Sequence, residues 1–294
     1  MLEKLKANIL FNKLLQRPDI NKAYAMVDET DSWYDTIKKV HESVDEISKK
    51  THEILEITSN DNLKLKTIYY PNEIKTNVTV ICVHGYTSHA QREWAYPGLF
   101  YLSLGYNVLV PYQRAHGLSE GKYLSFGALE HFDMIEWIKE INELYPNGKI
   151  IIHGLSMGGK IVLDLSSTTL DNVICLISDA PSTSIESFFK NVSKEVFKTN
   201  SDKIASYAIK RFKKEFGYDV KDFESLDIIS NSKYPLLLSA GSNEHLEDLF
   251  TAIKNINPND TDIIILPNCS HGNGMYKKTT LYQNRIKDFI NKYL

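Results

Sequence analysis

Lys149-Ile-Ile-Ile-His153-Gly154-Leu155-Ser156-Met157-Gly158-Gly159-Lys160 decides how this chain is read. The isoleucine run has the character of a buried strand, and the apolar residues resuming at Ile161 have that of a helix. Ser156 therefore stands at a strand-to-helix turn, where Gly154, Ser156 and Gly158 make the pattern G-x-S-x-G. A turn this sharp strains the serine backbone and presses helix against strand, so its neighbours must lack a Cβ. The serine hydroxyl is then held out for nucleophilic attack. Residues 154–160 also read G-x-x-x-x-G-K, a phosphate-loop pattern, with Asp179 after the apolar run 173–178 as the acid that would orient magnesium. Ile161 stands where that loop needs a metal-binding hydroxyl, so the nucleophile reading takes precedence.

Outward from this turn, short apolar runs recur at 78–83, 107–111, 149–153, 173–178, 236–240 and 263–266, with amphipathic segments between them. That alternation predicts an α/β fold, a mostly parallel sheet with helices on both faces and binding groups at the carboxyl ends of the strands. Residues 53–70 alternate apolar and polar on both sides of Asn60-Asp61-Asn62, which predicts an antiparallel hairpin at the sheet edge. Two domain-level expectations follow. Residues 1–50 form a helical segment docked on the core, and 51–294 form the main domain, interrupted by a helical cap insertion over about 181–234. The insertion carries Phe188, Phe189, Val192, Val196 and Phe197 on one stripe, and Ile204, Tyr207, Ala208 and Phe212 on another. It is read as lying over the site, with a packed helical layer as the alternative.

The totals exclude some classes. A net charge of −3 over 294 residues, with no basic stripe, gives no electrostatic footprint for nucleic acid. Cys82, Cys175 and Cys269 are odd in number and form no C-x-x-C pair, which suits a reducing, cytoplasmic location. Charges interrupt the apolar residues of the N-terminus, so it does not read as a signal peptide, and no run reaches the roughly 18 apolar residues that span a bilayer. No metal-binding spacing is present and no cofactor is implied. Oligomeric state is not legible.

The remaining chemistry falls at predicted strand ends. His84-Gly85-Tyr86 follows the strand at 78–83, and the glycine lets the chain bend so that Tyr86 N–H points into the site. Met157 N–H, next to Ser156 at a helix start, is the second candidate oxyanion donor. Glu244 lies just past the strand at 236–240 and is the candidate acid, with Asp248 and Asp179 as rivals. His271, in the loop after the last strand, completes the chain order Ser156, Glu244, His271 and is the candidate general base. His84 and His153 precede glycines at strand ends and read as structural.

With these residues in place the chain resembles the α/β-hydrolase superfamily over about residues 53–294, especially bacterial prolyl-oligopeptidase-like and esterase-type serine hydrolases with an N-terminal helical segment and a helical cap. The resemblance rests on His84-Gly85-Tyr86, Arg114-Ala115-His116-Gly117, residues 127–137, the turn at Ser156, Gly241 to Glu244 and Ser270-His271-Gly272. Such relatives commonly have aspartate where Tyr112 and Glu244 stand, so Tyr112 is expected to alter the pocket. The resulting expectation is a serine hydrolase of small or medium carboxylic esters, with an apolar acyl or aryl group matched to the insertion's aromatics. The alternatives are a non-catalytic binding protein for a small ligand on the same fold, and the phosphate-loop reading.

Overall fold

The computed structural model describes residues 1–257 and 260–294. Among them eight strands form one sheet: β1 (Glu53–Thr58), β2 (Lys64–Tyr70), β3 (Val78–Val83), β4 (Asn107–Pro111), β5 (Lys149–Leu155), β6 (Val173–Asp179), β7 (Leu236–Gly241) and β8 (Thr261–Leu266). Their order is β1-β2-β4-β3-β5-β6-β7-β8, with β1–β2 and β2–β4 antiparallel and every later neighbour parallel. The hairpin turns as its sequence requires: Ser59 N–H donates to Leu63 carbonyl at 2.8 Å, and Asn62 takes a positive φ of 66°.

Helices α1 (Leu2–Leu15) and α2 (Tyr34–Ile47) precede the sheet, and α3 (Ala90–Ser103), α4 (Glu130–Leu144) and α5 (Met157–Leu165) connect its parallel strands. Between β6 and β7 lie α6 (Ile185–Val196), α7 (Ser201–Phe216) and α8 (Ser225–Ile229); α9 (Glu247–Ile256) leads to β8, and α10 (Gly274–Lys277) and α11 (Thr279–Asn291) follow it. Strand alternation divides the core in two. Ile150 and Ile152 pack on one face with residues of α1, α4, α5, α6 and α7, while Ile151 packs on the other with residues of α2, α3 and α11. Because β3 and β4 are buried along their whole length, they read as continuous apolar runs rather than alternating ones. All three cysteines are free and buried, Cys82 within β3 and Cys175 within β6. No helix among the described residues is long and apolar enough to cross a membrane.

Two polar anchors tie the surrounding helices to this frame. Arg211 of α7 reaches α1, donating to Asn12 Oδ1 at 2.9 Å while its guanidinium lies 4.1 Å from the Phe11 ring centre. Lys160, fully buried one turn after Ser156, donates from Nζ to Asp164 Oδ2 at 2.5 Å and to Phe223 carbonyl at 2.8 Å. Asp164 Oδ1 in turn accepts from Ser225 Oγ at 2.5 Å, so the helix carrying the turn is fastened to α8. This overturns the phosphate-loop reading. The lysine that would meet a phosphate is committed inward, and Asp179, the acid that would orient magnesium, accepts from Tyr282 Oη at 2.8 Å.

Candidate active site

Ser156 sits between the end of β5 and the start of α5 with φ 60° and ψ −113°, a conformation that costs a non-glycine residue about 1–3 kcal/mol. The crowding expected of G-x-S-x-G is present. A Cβ at Gly154 would run into the Gly158 carbonyl, and one at Gly158 into the Val83 carbonyl. Ser156 N–H donates to Asp179 carbonyl at 2.8 Å, fixing the turn against the end of β6. Met157 N–H opens α5, where no carbonyl four residues back lies inside the helix to accept it.

The acid and base come together where β7 ends. A Cβ at Gly241 would overlap the Cys269 carbonyl, so only glycine lets this strand end approach the 269–273 loop. Asn243 N–H donates to Cys269 carbonyl at 3.0 Å, and Asn268 N–H to Ser242 Oγ at 3.0 Å. Across this seam Glu244 Oε2 lies 2.6 Å from His271 Nδ1, while Glu244 Oε1 accepts Gly241 N–H at 2.8 Å. Both carboxylate oxygens are engaged, one by the backbone at Gly241 and the other by His271, so the carboxylate's orientation is set by the strand end. The hydrogen bond to Glu244 raises the pKa of His271 above its ordinary value against the pull of burial, and the charges of Glu244, Asp179 and Glu93 add to it. Of the rivals, Asp248 is exposed on α9. Asp179 is buried, and desolvation pushes its carboxyl up to about 6.

Ser156 and His271 open onto one cleft of about 590 Å³, together with Gly85, Tyr86, Thr87 and Glu93. Among the described residues no hydrogen bond joins the Ser156 hydroxyl to His271 or engages Tyr86 N–H. The far wall is not the one expected. Asp19, Tyr24, Trp33 and Ile37, all N-terminal to the sheet, line the cleft, and no residue of 181–234 does. The insertion's Phe188 stacks on Phe126 at 3.9 Å between ring centres and packs edge to face with Tyr86. Tyr112 also stays out of the cleft; its ring fills the space that a side chain at Gly117 would take.

Sequence reasoning passed over Glu93 and Tyr24. Glu93 Oε1 accepts Gly85 N–H at 2.7 Å, and Oε2 accepts Ser88 Oγ at 2.5 Å and Tyr24 Oη at 3.2 Å. Desolvation pushes the Glu93 carboxyl up to about 7, opposed by these donors and by His271. The one signal available was an acid set at the start of a helix directly after the His84-Gly85 turn. His84 and His153 are structural, as expected: His84 Nε2 accepts Gln113 N–H at 3.1 Å, and His153 Nδ1 pairs with Tyr101 Oη at 2.7 Å.

An esterase of Pyrococcus furiosus, Pf2001, superposes with a TM-score of 0.67 over 95% of this chain and 98% of its own, at 24% identity. A thermostable carboxyl esterase of Bacillus coagulans, solved with glycerol, gives 0.65 over 83% and 99% at 17% identity. At these identities the shared property is the fold. The protein YqkD of Bacillus subtilis is 29% identical over 231 residues, 78% of this chain and 71% of its own. The family model described as serine aminopeptidase, S33, matches residues 74–272, which span the sheet from its first parallel strand through the turn at Ser156 to His271. The chain is a hydrolase of that α/β-hydrolase family.

Proposed function

We propose that the chain is a carboxylesterase working through an acyl-enzyme on Ser156, with His271 as general base, Glu244 as the acid that orients it, and Tyr86 and Met157 N–H as the oxyanion hole. The observation that carries this reading is that His271, 2.6 Å from Glu244, opens with Ser156 onto a single cleft. Glu244 on Nδ1 leaves Nε2 as the base that takes the serine proton, once a side-chain rotation brings hydroxyl and imidazole together around substrate. Ser156 Oγ bonds to the acyl carbon, the ester C–O bond breaks, and the imidazolium returns its proton to the departing alcohol. Water then attacks the acyl-enzyme with His271 again as base, releasing the acid and restoring Ser156.

Esters are preferred to amides because an alkoxide leaves with less help from the general acid than an amine does. Trp33, Ile37 and Leu155 give the cleft an apolar wall, which fits a small or medium acyl or aryl group. The test is hydrolysis of a nitrophenyl ester series from acetate to decanoate beside an aminoacyl nitroanilide. Ester turnover that is lost in Ser156→Ala supports the reading, while turnover of the anilide alone would reassign the chain to peptide substrates.

A further inference from the structure

The turn from Gly85 to Ser88 carries a proposed oxyanion donor, and from the sheet side it is held at its Gly85 carbonyl, which accepts from Nδ1 of His84 at 2.9 Å. Thr87 has a positive φ of 50°, and the internal bond from Ser88 N–H to Gly85 carbonyl is long at 3.4 Å. What ties the two ends of the turn together is a carboxylate. Glu93, only 3% exposed, takes Gly85 N–H at one end of the turn on Oε1 and Ser88 Oγ at the other on Oε2. Gly85 is packed between this carboxylate and the nucleophile: a Cβ there would come 3.4 Å from Glu93 Oε2 and 3.3 Å from Ser156 Cβ. The peptide that bears Tyr86 N–H is thereby set in place from the Glu93 side. Tyr86's own side chain is tied on the other side, its hydroxyl donating to Leu14 carbonyl at 2.7 Å.

Glu93's third donor comes from outside the sheet. Tyr24 Oη donates to Glu93 Oε2 at 3.2 Å, from a residue whose own φ is 54°. Three contacts hold that strained residue there: His41 Nε2 meets its carbonyl at 2.9 Å, and Arg92 Nη1 donates to Ala23 carbonyl at 2.9 Å and to Asn21 carbonyl at 3.0 Å. Adjacent residues of α3, Arg92 and Glu93, thus grip the N-terminal segment and the turn at once. With three donors on its two oxygens the carboxylate is occupied, so it is built to orient protein groups rather than to receive a substrate cation.

We propose that Glu93 is a positioning residue that holds the oxyanion-hole turn, and that Tyr24, by completing its donor set, makes the segment around residues 19–37 part of the catalytic apparatus. This rests on the esterase reading. Misplacing one oxyanion donor slows the chemical step without weakening ground-state binding. The test uses the full chain and the variants Glu93→Gln and Tyr24→Phe, with active sites titrated by a fluorophosphonate so that kcat is expressed per working site. Glu93→Gln is expected to lower per-site kcat on nitrophenyl butyrate about 100-fold, and Tyr24→Phe about 5-fold, with KM moved by less than about 3-fold. A merely structural role would remove sites or lower Tm and leave per-site kcat alone. If Glu93→Gln does not fold, Tyr24→Phe decides the matter, because it deletes a single hydroxyl. Per-site kcat within 2-fold of wild type in the folded variants overturns the proposal. Absence of titratable sites in the wild type would instead sink the esterase reading beneath it.

Discussion

His271 Nδ1 lies 2.6 Å from Glu244 Oε2, and the two residues are drawn together because β7 ends in a glycine that fits under the Cys269 carbonyl. The imidazole tautomer is set by this contact, so removing the acid should leave a correctly folded enzyme with a badly oriented base. Glu244→Gln is expected to lower kcat about 1,000-fold or more, with little change in KM. Comparable losses in Asp179→Asn or Asp248→Asn with an active Glu244→Gln would move the acid elsewhere.

The same contact sets the pH response. As the proposed general base His271 would remove a proton only when neutral, and Glu244 first, then the charges of Asp179 and Glu93, hold its proton more tightly than an ordinary histidine's. Activity, as kcat/KM, should therefore fall with decreasing pH through a midpoint above the ordinary value of 6.5. Asp179→Asn removes one of those charges and should shift the midpoint down. A wild-type midpoint below 6.5 contradicts the assignment of His271 as a base held by an acid.

Trp33 and Ile37 reach the cleft from outside the sheet and line it together with Ser156. Truncating an apolar wall weakens binding of groups long enough to touch it, by about 1–3 kcal/mol. Trp33→Ala and Ile37→Ala should each cut kcat/KM for octanoate or aryl esters about 10-fold while leaving acetate within about 2-fold. Equal losses across the series would show that the segment supports the fold rather than the substrate.

Lys160 offers a stability test of the rejected nucleotide reading. Its ammonium is paired to Asp164 in the interior, and breaking such a pair on one side strands the remaining charge at a cost of about 3–5 kcal/mol. Lys160→Met should lower Tm strongly, and the double variant Lys160→Met with Asp164→Leu should recover much of the loss. ATP with magnesium should leave the wild-type Tm unchanged; protection by ATP would revive the phosphate loop.

How much of this was legible follows from where each signal is stored. The turn at Ser156 could be read directly, because two glycines and a serine at fixed spacing mark a sharp turn, and the crowding of Gly154 against the Gly158 carbonyl arises within the motif itself. Strands β3 to β7 were legible as largely apolar runs, since burial on both faces leaves its mark along the run. The approach of Glu244 to His271 followed from chain order and strand ends, though the choice among three acids needed the register of β7. The part of the N-terminal segment that lines the cleft could not be read, because Trp33 and Ile37 sit on an amphipathic helix start whose periodicity reports burial, not what the buried face covers. For the same reason the stripe carrying Phe188 did not reveal that this ring stacks on Phe126. Glu93 was invisible because its meaning lies in three donors, from Gly85, Ser88 and Tyr24, the last of them 69 residues away in sequence.

The most direct test of the central claim is intact-mass measurement of the full chain after treatment with a fluorophosphonate, beside Ser156→Ala. One phosphonyl adduct on the wild type and none on the variant is the expected result, placing an activated nucleophile at the strained turn. An unlabelled wild type, or an adduct that persists in Ser156→Ala, would contradict the account and leave the fold as a scaffold for binding a small ligand.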